Sequence, residues 1–256
     1  MKKWIVSAVV LLVVIMGGYL IWNTMQAPKQ ESGHHGDHGN HGTVATQGDV
    51  TAKVSYDNGT FNVLVQDKNG KPIDDLQINH EKIMHMIVVS HDLGQYYHIH
   101  PERTGAGTFS VKQDLEPGAY KVFVDIKPKN ASYAVAPIDV TIGNGHMHHE
   151  ALQPETNFTK TVSGKTVTMK PDTFAAGEAV TLRFSFADGS VPKPYLGALG
   201  HVVILDEAGE KYVHVHPLSA KETAFETKFD KPGVYKIWAE FQFDEVLVYP
   251  FVVEVR

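Results

Sequence analysis

The chain has 256 residues, 43% of them hydrophobic, with a formal net charge of -6 and no cysteine. That length suits two modules of ~100 residues better than one small sandwich, and the acidic balance supplies no basic field to hold a nucleic acid. Without cysteine there can be no disulfide, acylated cysteine, thiolate metal site, blue-copper centre or cysteine nucleophile, and the 15 histidines make imidazole the abundant metal donor.

Met1, Lys2 and Lys3 precede an uncharged apolar run over residues 4–22. As a helix the run would rise ~28 Å, close to the hydrocarbon thickness of a bilayer. Lysines on its N-terminal side favour export of the rest of the chain, and Trp4, Tyr19 and Trp22 stand where interfacial aromatics belong. A cleaved signal peptide has a shorter apolar region ending in a small-x-small site. Residues 1–26 therefore read as a single-pass anchor in preference to a signal, and either leaves the remainder extracytoplasmic, secreted if cleavage occurs. Residues 27–48 shift in composition to Gly and His with scattered Gln and Ser, and carry His34, His35, His38 and His41. They read as a flexible tether that captures metal loosely, the competing view being a solvated linker.

Residues 49–143 show short apolar runs separated by turn signals, the pattern of an antiparallel β-sandwich. Strands are expected over 61–65, 83–90, 96–100, 108–111, 121–126 and 138–142, with a tight turn at Asn69-Gly70. Residues 144–156 form a second linker containing His146, Met147, His148 and His149. Residues 157–256 repeat the plan, with strands expected over 161–169, 179–186, 200–206, 211–216 and 251–255. The fold class is thus all-β, two tandem sandwiches of the immunoglobulin or cupredoxin kind after a transmembrane helix.

The repeat is sharpest around histidine. His85, Tyr96, His98, His100 and Pro101 recur as His201, Tyr212, His214, His216 and Pro217, at an offset of 116 residues. Alternate residues of a strand share a face, so His98 and His100 project together with ~6.5 to 7 Å between their Cα atoms. His85, from the preceding strand, can complete a three-imidazole set, and His201 can do the same for His214 and His216. The expectation is one metal site per domain, with His85, His98 and His100 in the first and His201, His214 and His216 in the second; imidazoles held by core hydrogen bonds are the structural alternative. His80 and His91 have Leu196 and Glu207 at the equivalent positions and read as surface residues.

Asp125 and Glu240 occupy matching places five residues beyond Tyr120 and Tyr235, where either could be a fourth ligand or could orient an imidazole. Tyr96 and Tyr212 could support the site or simply pack. Met84 and Met86 flank His85, but Gly200 and Val202 stand at the corresponding positions, so thioether ligation is not a shared feature. Imidazole sites bind Cu(II) most tightly among common divalent ions. Copper is therefore the first choice of metal and zinc the second.

The motifs Met84-His85-Met86-Ile87-Val88-Val89-Ser90, Tyr97-His98-Ile99-His100-Pro101-Glu102 and Pro117-Gly118-Ala119-Tyr120 resemble those of the YtkA-like exported bacterial proteins. The resemblance covers residues 49–143 well and 157–256 more loosely. It implies an extracytoplasmic β-sandwich tied to copper handling or to respiratory oxidase assembly. The leading expectation is a membrane-tethered protein that captures, stores or delivers copper, possible partners being the ion itself and a membrane metalloprotein recipient. An interaction or assembly module with structural histidines is the alternative. An enzyme with an open metal position is a third class, disfavoured because no paired acid and base, nucleophile motif or cofactor fingerprint is present.

Overall fold

A computed structural model describes residues 40–41, 48–143, 150–213 and 215–256 of the chain. The apolar run over 4–22, the tether histidines His34, His35 and His38, the linker histidines His146, His148 and His149, and His214 lie outside the described residues. Among the described residues there is no helix, and Gly39–Arg256 form one compact unit containing both repeats.

The first domain contributes β1 (Asn40–His41), β2 (Val50–Asp57), β3 (Thr60–Asp67), β4 (Leu76–Gln77), β5 (Met84–Ser90), β6 (Tyr96–Ile99), β7 (Glu102–Gly105), β8 (Thr108–Lys112), β9 (Gly118–Pro128) and β10 (Pro137–Ile142). They form an antiparallel sheet in the order β1-β2-β3-β8-β7 and a second in the order β10-β9-β5-β6, with β4 also paired to β9. The second domain contributes β11 (Thr159–Val162), β12 (Lys165–Pro171), β13 (Ala179–Phe186), β14 (His201–Asp206), β15 (Tyr212–Val213), β16 (Val215–Pro217), β17 (Ala224–Lys228), β18 (Gly233–Gln242) and β19 (Val246–Val255). Its sheets run β11-β12-β13-β17-β16 and β15-β14-β18-β19. The described residues are therefore all-β, as two tandem antiparallel sandwiches.

Local chemistry explains most boundaries. Asn58 and Gly59 adopt φ of 46° and 75° and close the β2–β3 hairpin; Asn and Gly tolerate this left-handed pair best. Ser163 and Gly164 do the same with φ of 45° and 77°, so the single strand expected over 161–169 is instead the β11–β12 hairpin. At the Asn69-Gly70 turn, Asp67 Oδ1 accepts from the N–H groups of Asn69 and Lys71 at 2.8 and 2.9 Å. Pro250 lies within β19, which is an edge strand where a missing N–H is tolerated. Each domain also has a tyrosine strut: Tyr120 OH donates to Glu116 O, and Tyr235 OH to Lys231 O, both at 2.9 Å.

Each sandwich has its own apolar core, including Phe61, Phe109, Met84, Met86 and Val88 in the first domain and Phe184, Phe225, Phe241 and Phe251 in the second. A third cluster joins Ile87, Val89, Leu93 and Phe123 of the first domain to Val203, Leu205 and Trp238 of the second. These are largely the same positions of the repeat: Ile87 answers Val203, Val89 answers Leu205 and Phe123 answers Trp238. Polar contacts are reciprocal too, since Lys121 Nζ donates to Glu210 Oε1 and Lys236 Nζ donates to Leu93 O. Equivalent faces meeting in this way give the pattern of an isologous, approximately two-fold interface within one chain. Burial of each such side chain contributes ~1.5–3 kcal/mol.

Candidate metal centre

Strand alternation decides which side chains reach the interface. On β5, Met84, Met86 and Val88 point into the sandwich core while His85, Ile87 and Val89 point outward. On β14 the outward set includes Val203 and Leu205, with His201 at the same parity. The registers set His85 opposite Asp125 and His201 opposite Glu240 on the neighbouring strands, and Ile87 opposite His98. Met84 and Met86 are only 1% and 0% exposed and belong to the first domain's core, Met84 also lining an opening beside His100.

The histidines of both repeats meet at this interface. His85 Nδ1 lies 2.9 Å from His98 Nε2 and 3.2 Å from His100 Nε2. One ligand atom each from His85, His98 and His201 falls within a 4.8 Å set. The His201 ring is 4.7 Å from that of His98 and lies parallel to that of His85 at 5.7 Å. His80 also joins, with its ring 5.6 Å from His201 and 6.1 Å from His85.

The outer hydrogen bonds orient two of these rings. His85 Nε2–H donates to Asn79 O at 2.9 Å, and His98 Nδ1–H donates to Glu240 Oε2 at 2.9 Å. In the neutral His85 ring the remaining nitrogen, Nδ1, then carries a lone pair directed at His98 Nε2 and His100 Nε2. Burial disfavours adding a proton: it pulls His85 down to about 4 and His100 to about 3, the other imidazoles reinforcing the effect, and it holds His201 well below the ordinary histidine value. Tetrahedral ligation at 2.0–2.1 Å separates donor nitrogens by about 3.3 Å, so the His85–His98 and His85–His100 spacings need only a few tenths of an ångström of adjustment to hold an ion, while the set that includes His201 spans up to 4.8 Å.

Glu240 is the hub behind the site and is 1% exposed. Besides His98 it accepts Tyr96 OH at 2.6 Å and the hydroxyl of Tyr195. Burial, with the nearby Glu240 carboxylate, pushes the Tyr96 hydroxyl well above its ordinary value, so it stays a donor. Tyr96 also stacks on Trp238 at 4.9 Å. Of the two matched carboxylates, Glu240 thus orients an imidazole of the other domain. Asp125 lines a separate cavity with Tyr212 and His216.

The grouping departs from one triad per domain. His85, His98, His100 and His201 come together, whereas His216 does not join them. The reason is a difference in strand course. In the first copy β6 stays on β5 as far as Ile99, paired with Met86. In the second copy β15 leaves β14 after Val213, and Val215, His216 and Pro217 pair with β17 on the other sheet. His80, expected on the surface, is drawn to the cluster by a turn in which His80 and Glu81 adopt φ of 46° and 66°. Its counterpart Leu196 gave no signal for this, and nothing in the repeat pointed to the Asn79 carbonyl or to Tyr195. His91 lies apart from the cluster, in the β5–β6 turn, where its N–H donates to Ala119 O at 2.9 Å.

Among solved structures, the chain is similar to the Escherichia coli adhesin FdeC, with 12% identity, a TM-score of 0.26 and coverage of 84% of this chain and 66% of that one. It is also similar to the FN1–FN3 domains of chicken CNTN1, with 11% identity, a TM-score of 0.24 and coverage of 78% and 63%. A third similar structure is the Yersinia pseudotuberculosis adhesin InvE, with 10% identity, a TM-score of 0.21 and coverage of 86% and 61%. The chain therefore spans just under two thirds of the length of each. No curated protein matches the sequence. A family profile described as a domain of unknown function matches residues 38–143 and 160–256, one segment for each repeat. With both repeats and more than half of its residues matched, the chain belongs to the DUF8832 family.

Proposed function

We propose that the protein binds one transition-metal ion at the domain interface, copper first and zinc second, for capture, storage or delivery outside the cytoplasm. The observation that carries this reading is the convergence of His85 Nδ1 with His98 Nε2 at 2.9 Å and His100 Nε2 at 3.2 Å, while Asn79 O and Glu240 hold the outer nitrogens of His85 and His98. Two nitrogens at that distance hold either a proton or a cation between them, and His85, kept unprotonated by burial, has a lone pair to give to either. His100 and His201 supply further nitrogens. An all-imidazole donor set without thiolate suits Cu(II) or Zn(II), and the Glu240–His98 contact is the carboxylate–imidazole arrangement that fixes a ligand's tautomer. The YtkA-like motifs and the apolar N-terminal run support a membrane-tethered, extracytoplasmic setting, and the two tyrosine struts support an immunoglobulin-like sandwich.

Isothermal titration of the full-length protein with Cu(II), Cu(I) and Zn(II) tests the proposal. One tight equivalent, weakened at least 100-fold in a His85→Ala, His98→Ala variant that keeps its circular dichroism spectrum, is the expected result. Affinity unchanged in that variant would overturn it and leave an interaction module with structural histidines.

A further inference from the structure

A buried site needs an entrance. His85, the His98 side chain and Glu240 are 2%, 2% and 1% exposed, so an ion reaches them only by way of a neighbour. At the same domain interface lies a cavity of about 600 Å³ whose walls include Asn79, His80, Asp125, Lys127, Tyr212 and His216. Four of these are repeat counterparts of the buried centre: Asp125 answers Glu240, Tyr212 answers Tyr96, His216 answers His100 and Asn79 answers Tyr195. The reciprocal packing that sets first-domain histidines against Glu240 thus sets second-domain groups near Asp125. His80 belongs to both places, as a wall of the cavity and as a ring 5.6 Å from His201.

Resting on the metal-binding reading, we infer that this cavity is a loading port, where Asp125 and His216 take up a divalent copper or zinc ion and pass it through His80 to His85 and His201. A carboxylate with imidazoles suits such borderline cations. The cavity's width leaves the ion most of its water, which favours fast exchange over tight retention. The turn at Asn79 and His80 brings the relay imidazole within one ring's reach of the buried cluster. A further opening, beside His100, is lined by Glu81, Lys82, Met84, Glu102 and Arg103. It sets two cations against two carboxylates and offers no second imidazole along its wall.

Cu(II) binding to the full-length protein can be followed by stopped-flow quenching of tryptophan fluorescence, since Trp238 stacks on the Glu240 partner Tyr96. Asp125→Asn with His216→Ala is expected to slow association about tenfold and to slow release to a chelator by the same factor, leaving equilibrium affinity within threefold. Lys127→Glu is expected to speed association at low ionic strength and to lose the gain at high salt. Unchanged rates in the double variant, or slowing by Glu102→Gln instead, would overturn the port while leaving the buried site standing. Quenching unaffected by His98→Ala would remove the site and the port together.

Discussion

Removing Glu240 tests whether a carboxylate from one domain organises a metal ligand of the other. Its two oxygens receive Tyr96 OH at 2.6 Å and His98 Nδ1–H at 2.9 Å, and the Tyr195 hydroxyl also bonds to it. In Glu240→Gln, the amide oxygen can still accept from His98 while the amide nitrogen donates to Tyr96, whose hydroxyl can accept. The tautomer survives and the charge is lost, which predicts about tenfold weaker Cu(II) binding, or ~1.4 kcal/mol. In Glu240→Ala, the His98 N–H and both tyrosine hydroxyls lose their acceptor in a site that is 1% exposed at this position. Each orphaned buried group costs ~1–3 kcal/mol; with relaxation the expected loss of stability is about 3–5 kcal/mol, as for other broken buried pairs. Affinity should fall about 100-fold, the upper range for outer partners of a ligating histidine. Urea unfolding of the metal-free protein and copper competition titrations read the two quantities separately. The reasoning fails if Glu240→Ala unfolds at the wild-type midpoint, or if both variants bind copper as tightly as the parent.

Trp238 is 2% exposed and stacks on Tyr96; Trp238→Ala is expected to cost about 3–5 kcal/mol in urea unfolding, and a loss below 1 kcal/mol would mean that the interface contributes little. In the metal-free protein His85 and His100 sit near about 4 and about 3 when folded, against an ordinary value of 6.5. From pH 6.5 down to about 4 the unfolded chain therefore binds more protons, so stability falls as pH falls, by on the order of 3 kcal/mol for the buried His85. Unfolding curves across that range, repeated with metal, should show the slope shrinking in His85→Leu. Finally, Met84→Leu with Met86→Leu is expected to leave Cu(I) affinity within twofold, because both residues belong to the buried core of the first domain; a tenfold loss by competition with a chromophoric ligand would show that Met84 reaches His100 through the opening they share.

The strand β5 was legible over residues 83–90 because apolar side chains occupied both faces. What covered the outer face was not, since a strand between two sheets and a strand beneath a second domain carry the same apolar pattern. His98 and His100 were found from their period of two, and their convergence with His85 follows from the β5–β6 register. The repeat paired His201 with His85 as its counterpart but gave no sign that the two rings meet, because sequence separation says nothing about which domain lies across an interface. The departure of β15 from β14 after Val213 is likewise set by tertiary pairing, as Val215 finds Thr227 on β17. His80 was invisible for a local reason: its approach depends on two consecutive left-handed residues, and neither position holds the glycine that advertises that conformation.

The approximate two-fold within one polypeptide has a consequence for specialisation. In a dimer of identical single domains, every substitution at the contact appears twice, and a tightly sealed half brings a tightly sealed twin. Covalent tandem linkage lifts that constraint. Glu240 can be enclosed by Tyr195 while Asp125 faces a cavity beside Asn79, and Leu196 can close one corner while His80 occupies the other. One ancestral surface thereby acquires two unlike ends, an inward one and an outward one, which identical subunits could not evolve separately.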